Sequence, residues 1–245
     1  MKIRLYTLGT SHGATEVGRA CSANLLQVED SFYLFDCGGD FERKFKNLSL
    51  PFEGIRAVFI SHMHEDHVGT LSSVAKRFYV YNKESRVTMY LPEEQGIVAF
   101  RQWMEALHIG TDSERVDYKT VAAGEIYADE FISVTAIATA HLMNGAFPSY
   151  AYAVRCGEKR FLYTGDLNHD FSDYPAVLLE EKFNTVLCEL VHFKMERNLE
   201  TLRKTKTDRL IFTHTSPKNA ARLCEIADQF PFYVDVAEDG NVYEI

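Results

Sequence analysis

The sequence predicts an α/β (α+β) fold, with two β-sheets packed face to face and helices on their outer sides. Three observations carry this expectation. Runs rich in β-branched and aromatic residues fall in two clusters, stretches of helical period separate them, and no Pro-, Gly- or Ser-rich segment divides the chain. With 245 residues, 46% hydrophobic and 25% charged, there is enough chain for a sizeable core, and residues 1–245 are read as one domain.

The expected strands, in order, are "IRLYTL" (3–8), "ANLLQVE" (23–29), "FYLFD" (32–36), "AVFI" (57–60) and "RVTMYL" (86–91). A second cluster follows with "FISVTAIAT" (131–139), "YAYAVRC" (150–156), "RFLYT" (160–164), "TVLCE" (185–189), "RLIF" (209–212) and "FYVDV" (232–236). Helical period places Val68, Leu71, Val74, Ala75 and Phe78 on one face. It recurs at Ile97, Phe100, Met104 and Leu107 after Pro92, and at Leu223, Ile226, Ala227 and Phe230. Ser216-Pro217 before the last stripe reads as an N-cap followed by a first-turn proline. These stripes, with Trp103 among them, are expected in the core.

Composition narrows the partners. "MKIRLYTLGT" alternates like a first strand and lacks a signal-peptide core, and no apolar run approaches the ~20 residues that span a bilayer. Five cysteines (Cys21, Cys37, Cys156, Cys188, Cys224) without a C-x-x-C pair argue against a disulfide framework and a cysteine zinc site. The expected compartment is reducing and cytoplasmic. A net charge of −9 disfavours a grip on long nucleic acid, and "ERKFK" (42–46) and "LRKTKTDR" (202–209) read as solvated faces.

Polar residues just past strand ends can project into a ligand crevice. "AVFI" runs into Ser61-His62, "ISVTAIATA" into His141, "RFLYT" into Gly165-Asp166, and "RLIFT" into His214. Around the first junction, "FISHMHEDHVGT" (59–70) crowds three histidines and two carboxylates together. His62 and His64, two apart, can point the same way in an extended segment, while Asp66 and His67 can serve a neighbouring position. With His141, Asp166 and His214 the set reaches seven candidate ligands for two divalent ions, and Asp166 has two oxygens with which to bridge. Imidazole and carboxylate suit zinc, and also iron or manganese. Glu65 reads as a solvated spacer.

H-x-H-x-D-H, a distant His, a Gly-Asp and a last His after a strand resemble the metallo-β-lactamase superfamily. "LYTLGT" (5–10) and "FDCG" (35–38) match its opening strand and early Asp-x-Gly. The resemblance implies the αββα sandwich, two mixed β-sheets flanked by helices. It also implies that His62, His64 and His141 hold one metal, that Asp66, His67 and His214 hold the second, and that Asp166 bridges. Asp36 would orient a ligand from behind. Two such metals lower the pKa of a bridging water, so that a hydroxide can attack at neutral pH.

Within the superfamily, His64 stands where redox di-iron members keep a carboxylate, and Asp166 stands where zinc β-lactamases of two classes carry a cysteine. "LGTSHGATEVGRACSANLLQV" (8–28), with Arg19, Cys21 and Ser22, resembles the opening of the ribonuclease Z and small-phosphodiesterase group. "TVLCELVHF" (185–193) resembles that group's strand ending in an acid with a histidine nearby, which implies catalytic roles for Glu189 and His192 beside Asp66, His192 protonating the leaving oxygen. No insertion resembling the transfer-RNA-gripping arm of ribonuclease Z is evident. The expected activity is therefore hydrolysis of a small or cyclic phosphodiester or a nucleic-acid end, without extended nucleic-acid or membrane binding and with a homodimer compatible. Two alternatives stand beside it: a thioester, lactone or ester hydrolase like glyoxalase II, and a non-catalytic or redox metal protein. His12 could line the pocket; His108 has no assigned role.

Overall fold

Alternating apolar runs such as "IRLYTLG" and "SFYLFDC" bury nearly every residue, which requires cover on both faces. The computed structural model describes residues 1–82, 84–110 and 114–245. Strands β1 (Ile3–Gly9), β2 (Ala23–Val28) and β3 (Ser31–Cys37) form an antiparallel meander. Helix α1 (Phe41–Asn47) leads to β4 (Ile55–Phe59), α2 (Glu65–Val68) and α3 (Leu71–Lys76) to β5 (Val87–Leu91), and α4 (Glu94–Ala106) to β6 (Val116–Thr120). These helical crossovers let β3, β4, β5 and β6 pair in parallel.

The second half repeats the plan. Strands β7 (Gly124–Ala128), β8 (Ser133–Thr139), β9 (Ser149–Cys156) and β10 (Lys159–Tyr163) are antiparallel neighbours. Then α5 (Val177–Glu180), β11 (Phe183–Glu189), α6 (Met195–Arg203), β12 (Thr207–Thr213), α7 (Pro217–Ile226) and β13 (Tyr233–Val236) continue the sheet in parallel. β14 (Val242–Glu244) returns to pair with β1 in the other sheet. Two mixed seven-stranded sheets result, in the orders β14-β1-β2-β3-β4-β5-β6 and β13-β12-β11-β10-β9-β8-β7.

Three apolar clusters define four layers. Phe41, Phe45, Leu71, Val74, Phe78 and Met104 lie with the outer face of the first sheet, and Leu178, Leu202, Leu223 and Ile226 with that of the second. Between the sheets, Phe35 stacks on Phe59 at 5.2 Å and Phe59 on Tyr90 at 5.0 Å, with Phe161 and Tyr152 edging in. Tyr152 Oη donates across the interface to the Ile60 carbonyl at 2.6 Å. This is the metallo-β-lactamase αββα sandwich the sequence implied.

The strand directions gather the chemistry. β8 and β10 flank β9 antiparallel to it, so both run the same way as β11 and β12, and all four end at one edge. In the other sheet β3 and β4 are parallel, with Phe35 opposite Phe59, so Asp36 and His62 leave together.

Two core expectations are corrected. Trp103 is 55% and Leu107 40% exposed. Met104 is the fully buried residue of that face, Trp103 sits roughly 100° round the helix from it, and Leu107 lies past the last helical residue, Ala106. The apolar face read through Val68 to Phe78 is broken between α2 and α3 and finishes in a π-helical turn, Arg77–Tyr81. Ser216 caps α7 as expected, its Oγ accepting from Asn219 N at 3.3 Å. The described cysteines are free thiols. Among the described residues no helix is long and apolar enough to cross a membrane.

Candidate metal centre

β4 ends at Phe59, the chain bends at Ser61, and an irregular stretch carries His62 to His64, whose extended φ of −65° and ψ of 147° precede α2. Asp66 and His67 then open a helical turn. Two glycines allow this crowding. A Cβ at Gly38 would lie 1.7 Å from the Asp66 carbonyl oxygen. At Gly165, φ is +56° and a Cβ would come within 2.8 Å of Ser61 Cβ. Asp36 (φ 59°) and His214 (φ 46°) take the left-handed region without being glycine, a strain of roughly 1–3 kcal/mol each that surrounding bonds must hold.

The seven histidines and aspartates read from the motif converge. Donor atoms of His62, His64, His141 and Asp166 all lie within 4.8 Å of one another, and so do those of Asp66, His67 and His214. Asp166 joins the groups: its Oδ2 is 3.7 Å from the Nε2 of His62, 3.7 Å from that of His141, and 3.4 Å from those of His67 and His214. Asp66 Oδ2 stands 3.5 Å from His67 Nε2 and 3.7 Å from His214 Nε2.

The charge balance asks for a cation. Burial lowers His62, His64 and His214 below the usual histidine range, keeping them neutral, the form that ligates. Burial would raise Asp166, yet the neighbouring His214 and His67 imidazoles hold it well below the carboxylate range. Burial would likewise lower His67, but the charges of Asp166 and Asp36 overcome it and raise it, so several carboxylates crowd one buried cluster of imidazoles. Among the described residues, His67 Nε2 and Asp166 Oδ1 are buried without a hydrogen-bond partner. Unpartnered buried atoms of this kind, an imidazole nitrogen and a carboxylate oxygen in one cluster, fit divalent cations of the zinc, manganese or iron type.

Asp36 is fully buried behind the cluster. Its oxygens accept from Ser61 N (2.6 Å), Ser61 Oγ (2.7 Å), Tyr163 Oη (2.7 Å) and His67 Nδ1 (2.7 Å), fixing the His67 tautomer with Nε2 inward. Ser61 Oγ also lies 3.0 Å from His62 Nδ1. Glu189, fully buried, accepts from Leu167 N (3.1 Å), Val191 N (2.6 Å) and His192 N (3.1 Å), and its Oε1 is 3.2 Å from His192 Nδ1. His192 is one-third exposed, its ring 4.5 Å from that of His141 and 5.6 Å from that of His214. Burial would lower it, but the Glu189 bond and the Asp166 charge prevail and push it up to about 9.

Glu65 is exposed. His12 lies 3.3 Å from Glu16, and His108 is exposed on the turn after α4. Sequence reasoning passed over Ser61, Tyr163 and Asp173, and quoted Ser22 without a role. Asp173 accepts from Ala140 N and Asn168 N, tying the loops that carry His141 and Asp166 together. A faint signal existed for Tyr163: alternation along "RFLYT" turns its phenol toward the other sheet, where a buried hydroxyl must find a partner.

The family described as "Anti-Pycsar protein Apyc1" matches residues 3–229. Ribonuclease Z of Synechococcus sp. (strain CC9311) is 31% identical over 152 residues, 59% of this chain and 46% of that protein. Ribonuclease Z of Shouchella clausii is 28% identical over 162 residues, covering 64% and 49%. The chain thus spans about half the length of the curated relatives it matches. In fold it is similar to the metallo-β-lactamase fold protein YhfI of Bacillus subtilis (TM-score 0.79, 18% identity, 100% of both chains). It is similar too to human tRNase Z, short form (TM-score 0.77, 20% identity, 98% of both), and to yeast PDE1 (TM-score 0.77, 13% identity, 100% and 99%). A match over nearly the whole chain, on a fold and histidine–aspartate cluster of this kind, makes the chain a member of the Anti-Pycsar protein Apyc1 family, within the metallo-β-lactamase superfamily and similar to ribonuclease Z.

Proposed function

We propose that residues 1–245 act as one metal-dependent hydrolase domain that cleaves a small or cyclic phosphodiester at a two-metal site. The observation that carries this reading is the pair of donor groups sharing Asp166, buried on one side and open on the other at His64 and His192. His62, His64 and His141 would hold one ion, Asp66, His67 and His214 the other, with Asp166 between them and zinc the best-suited metal. When bound, such ions supply Lewis acidity toward phosphate oxygens and lower the pKa of an attacking water.

The chain's own groups do the rest. Glu189 engages Nδ1 of His192, which leaves Nε2 to hold a proton for the leaving oxygen at the open side. Asp36 keeps His67 in one tautomer. Asp66 belongs to the cluster directly and turns its carboxylate toward His67 and His214.

The relatives named ribonuclease Z raise nucleic-acid ends as a second reading, but the basic runs favour a small substrate. Arg43 pairs with Asp40, Lys44 with Asp239, Lys46 with Glu42, and Lys204 with Glu200, which leaves those cations committed rather than lining a phosphate track. An ester or thioester substrate would use the same seven groups. Metal-analysed protein assayed against bis-p-nitrophenyl phosphate, a small cyclic phosphodiester, a transfer-RNA precursor and a thioester separates these. Turnover of the first two supports the proposal; robust thioester turnover with none on any phosphodiester overturns it.

A further inference from the structure

His141 enters the metal centre from the turn after β8, and Asp166 from the loop between β10 and α5. The turn is strained, because Met143 (φ 46°) and Asn144 (φ 55°) are both left-handed without being glycine. Hydrogen bonds on either side of His141 hold this turn to the Asp166 loop. Asp173 Oδ2 accepts from Ala140 N at 2.7 Å, and Asn168 Nδ2 donates to Asn144 Oδ1 at 3.1 Å. Between them, His141 Nδ1 lies 3.2 Å from the Leu167 carbonyl.

A carbonyl can only accept, so the His141 proton sits on Nδ1 and Nε2 is turned to Asp166 Oδ2, 3.7 Å away. That direction depends on where the Leu167 peptide is held. Its N–H donates to Glu189 Oε1 at 3.1 Å, and the next amide, Asn168 N, donates to the two oxygens of Asp173 at 2.9 and 3.0 Å. One half-buried carboxylate therefore grips both the residue before His141 and the residue two past Asp166. His62 and His64 arrive separately, from the end of β4 in the other sheet, while His67 and His214 have Asp36 and Ser22 behind them.

We propose that Asp173 is a positioning residue that seats His141 against Asp166, and so sets the affinity of the ion held by His62, His64 and His141 without altering that of its neighbour. The proposal rests on the ligand reading above. A ligand on a turn that is free to relax must be reordered each time an ion binds. Charge-assisted bonds from two backbone amides to one carboxylate keep the turn in its ligating shape beforehand.

The test is stepwise Zn2+ affinity by competition with a chromophoric chelator, together with the absorption spectrum of the Co2+-substituted protein. Asp173→Ala should weaken one of the two Zn2+ ions by up to about 100-fold, leave the other at wild-type affinity and alter the Co2+ bands. Asp173→Asn keeps one acceptor oxygen and should weaken the same ion by about 10-fold. In a His141→Ala background Asp173→Ala should cost little further, because it acts through that ligand. Tyr174→Phe is the control from the same loop: its phenol is buried and bonded to Thr205 Oγ1 at 2.7 Å, and its loss should lower the melting temperature with both affinities unchanged. Wild-type affinities in Asp173→Ala overturn the proposal, as does equal weakening of both ions or an undiminished loss in the His141→Ala background. Should Asp173→Ala fail to fold, Asp173→Asn decides by the same readings. His141→Ala alone keeps the two questions apart: if it binds both Zn2+ ions as tightly as wild type, the ligand reading itself has failed.

Discussion

The two halves of the cluster are built differently. His67 and His214 are buried, and each has a partner on its far nitrogen, Asp36 for one and Ser22 for the other. His64 is exposed, and its ring lies against neighbouring imidazoles, His62 at 3.0 Å and His141 at 3.4 Å. On its far side His141 Nδ1 lies 3.2 Å from the Leu167 carbonyl. His62 is also buried and backed, by Ser61 Oγ at 3.0 Å, so the contrast lies in His64, whose exposure leaves that side where a substrate could approach. The difference teaches that rigidity and access are divided between the two groups, with Asp166 common to both.

That division can be broken most forcefully at the shared residue. Asp166→Ala should reduce phosphodiester turnover to background and lower the metal content of both halves, checked by steady-state assay and elemental analysis. Next in size is His192→Ala on the open side, where kcat should fall by roughly 10²- to 10⁴-fold with metal content unchanged. A fall in bound metal instead would move His192 among the ligands. On the buried side, Asp36→Asn should keep the shape but weaken Zn2+ binding by roughly 10- to 100-fold, read by chelator competition.

The smallest effect comes from a carboxylate away from both halves and separates loss of fold from loss of metal. Burial would raise Asp129, but the hydroxyls of Tyr33 (2.6 Å) and Tyr127 (2.7 Å) and the backbone amides of Ile132 and Phe131 hold it below the usual range. A carboxyl lowered on folding stabilises above its unfolded value, near about 3.9, and that stability is lost as pH falls through the folded value. The melting difference between wild type and Asp129→Asn, with chelator present, should therefore be largest at neutral pH and shrink below about pH 4.

The same contrast explains what was legible in the sequence. Metal ligation demands His and Asp at fixed offsets, so "SHMHEDH" and the lone residues after strands stood out before any fold was known. The backing hydroxyls did not. Ser22 and Tyr163 are ordinary residues until the sheets bring positions from opposite halves of the chain together, and no local spacing encodes that meeting. Edge elements were missed for a related reason. β6, β7 and β14 are exposed along much of their length, so their patterns carry little apolar alternation. Helices α1 and α6 bury few residues, Phe41 and Phe45 in one and Met195 and Leu202 in the other, amid charged neighbours. Trp103 failed in the opposite direction, its size suggesting core while its angle on α4 turned it to solvent.

The central claim is that two ions share Asp166 between a buried and an open group. Anomalous scattering from crystals of Zn2+-loaded protein tests it most directly. Two peaks should flank Asp166, one among His62, His64 and His141, the other among Asp66, His67 and His214. A single peak in zinc-saturated crystals, or peaks away from Asp166, would contradict it.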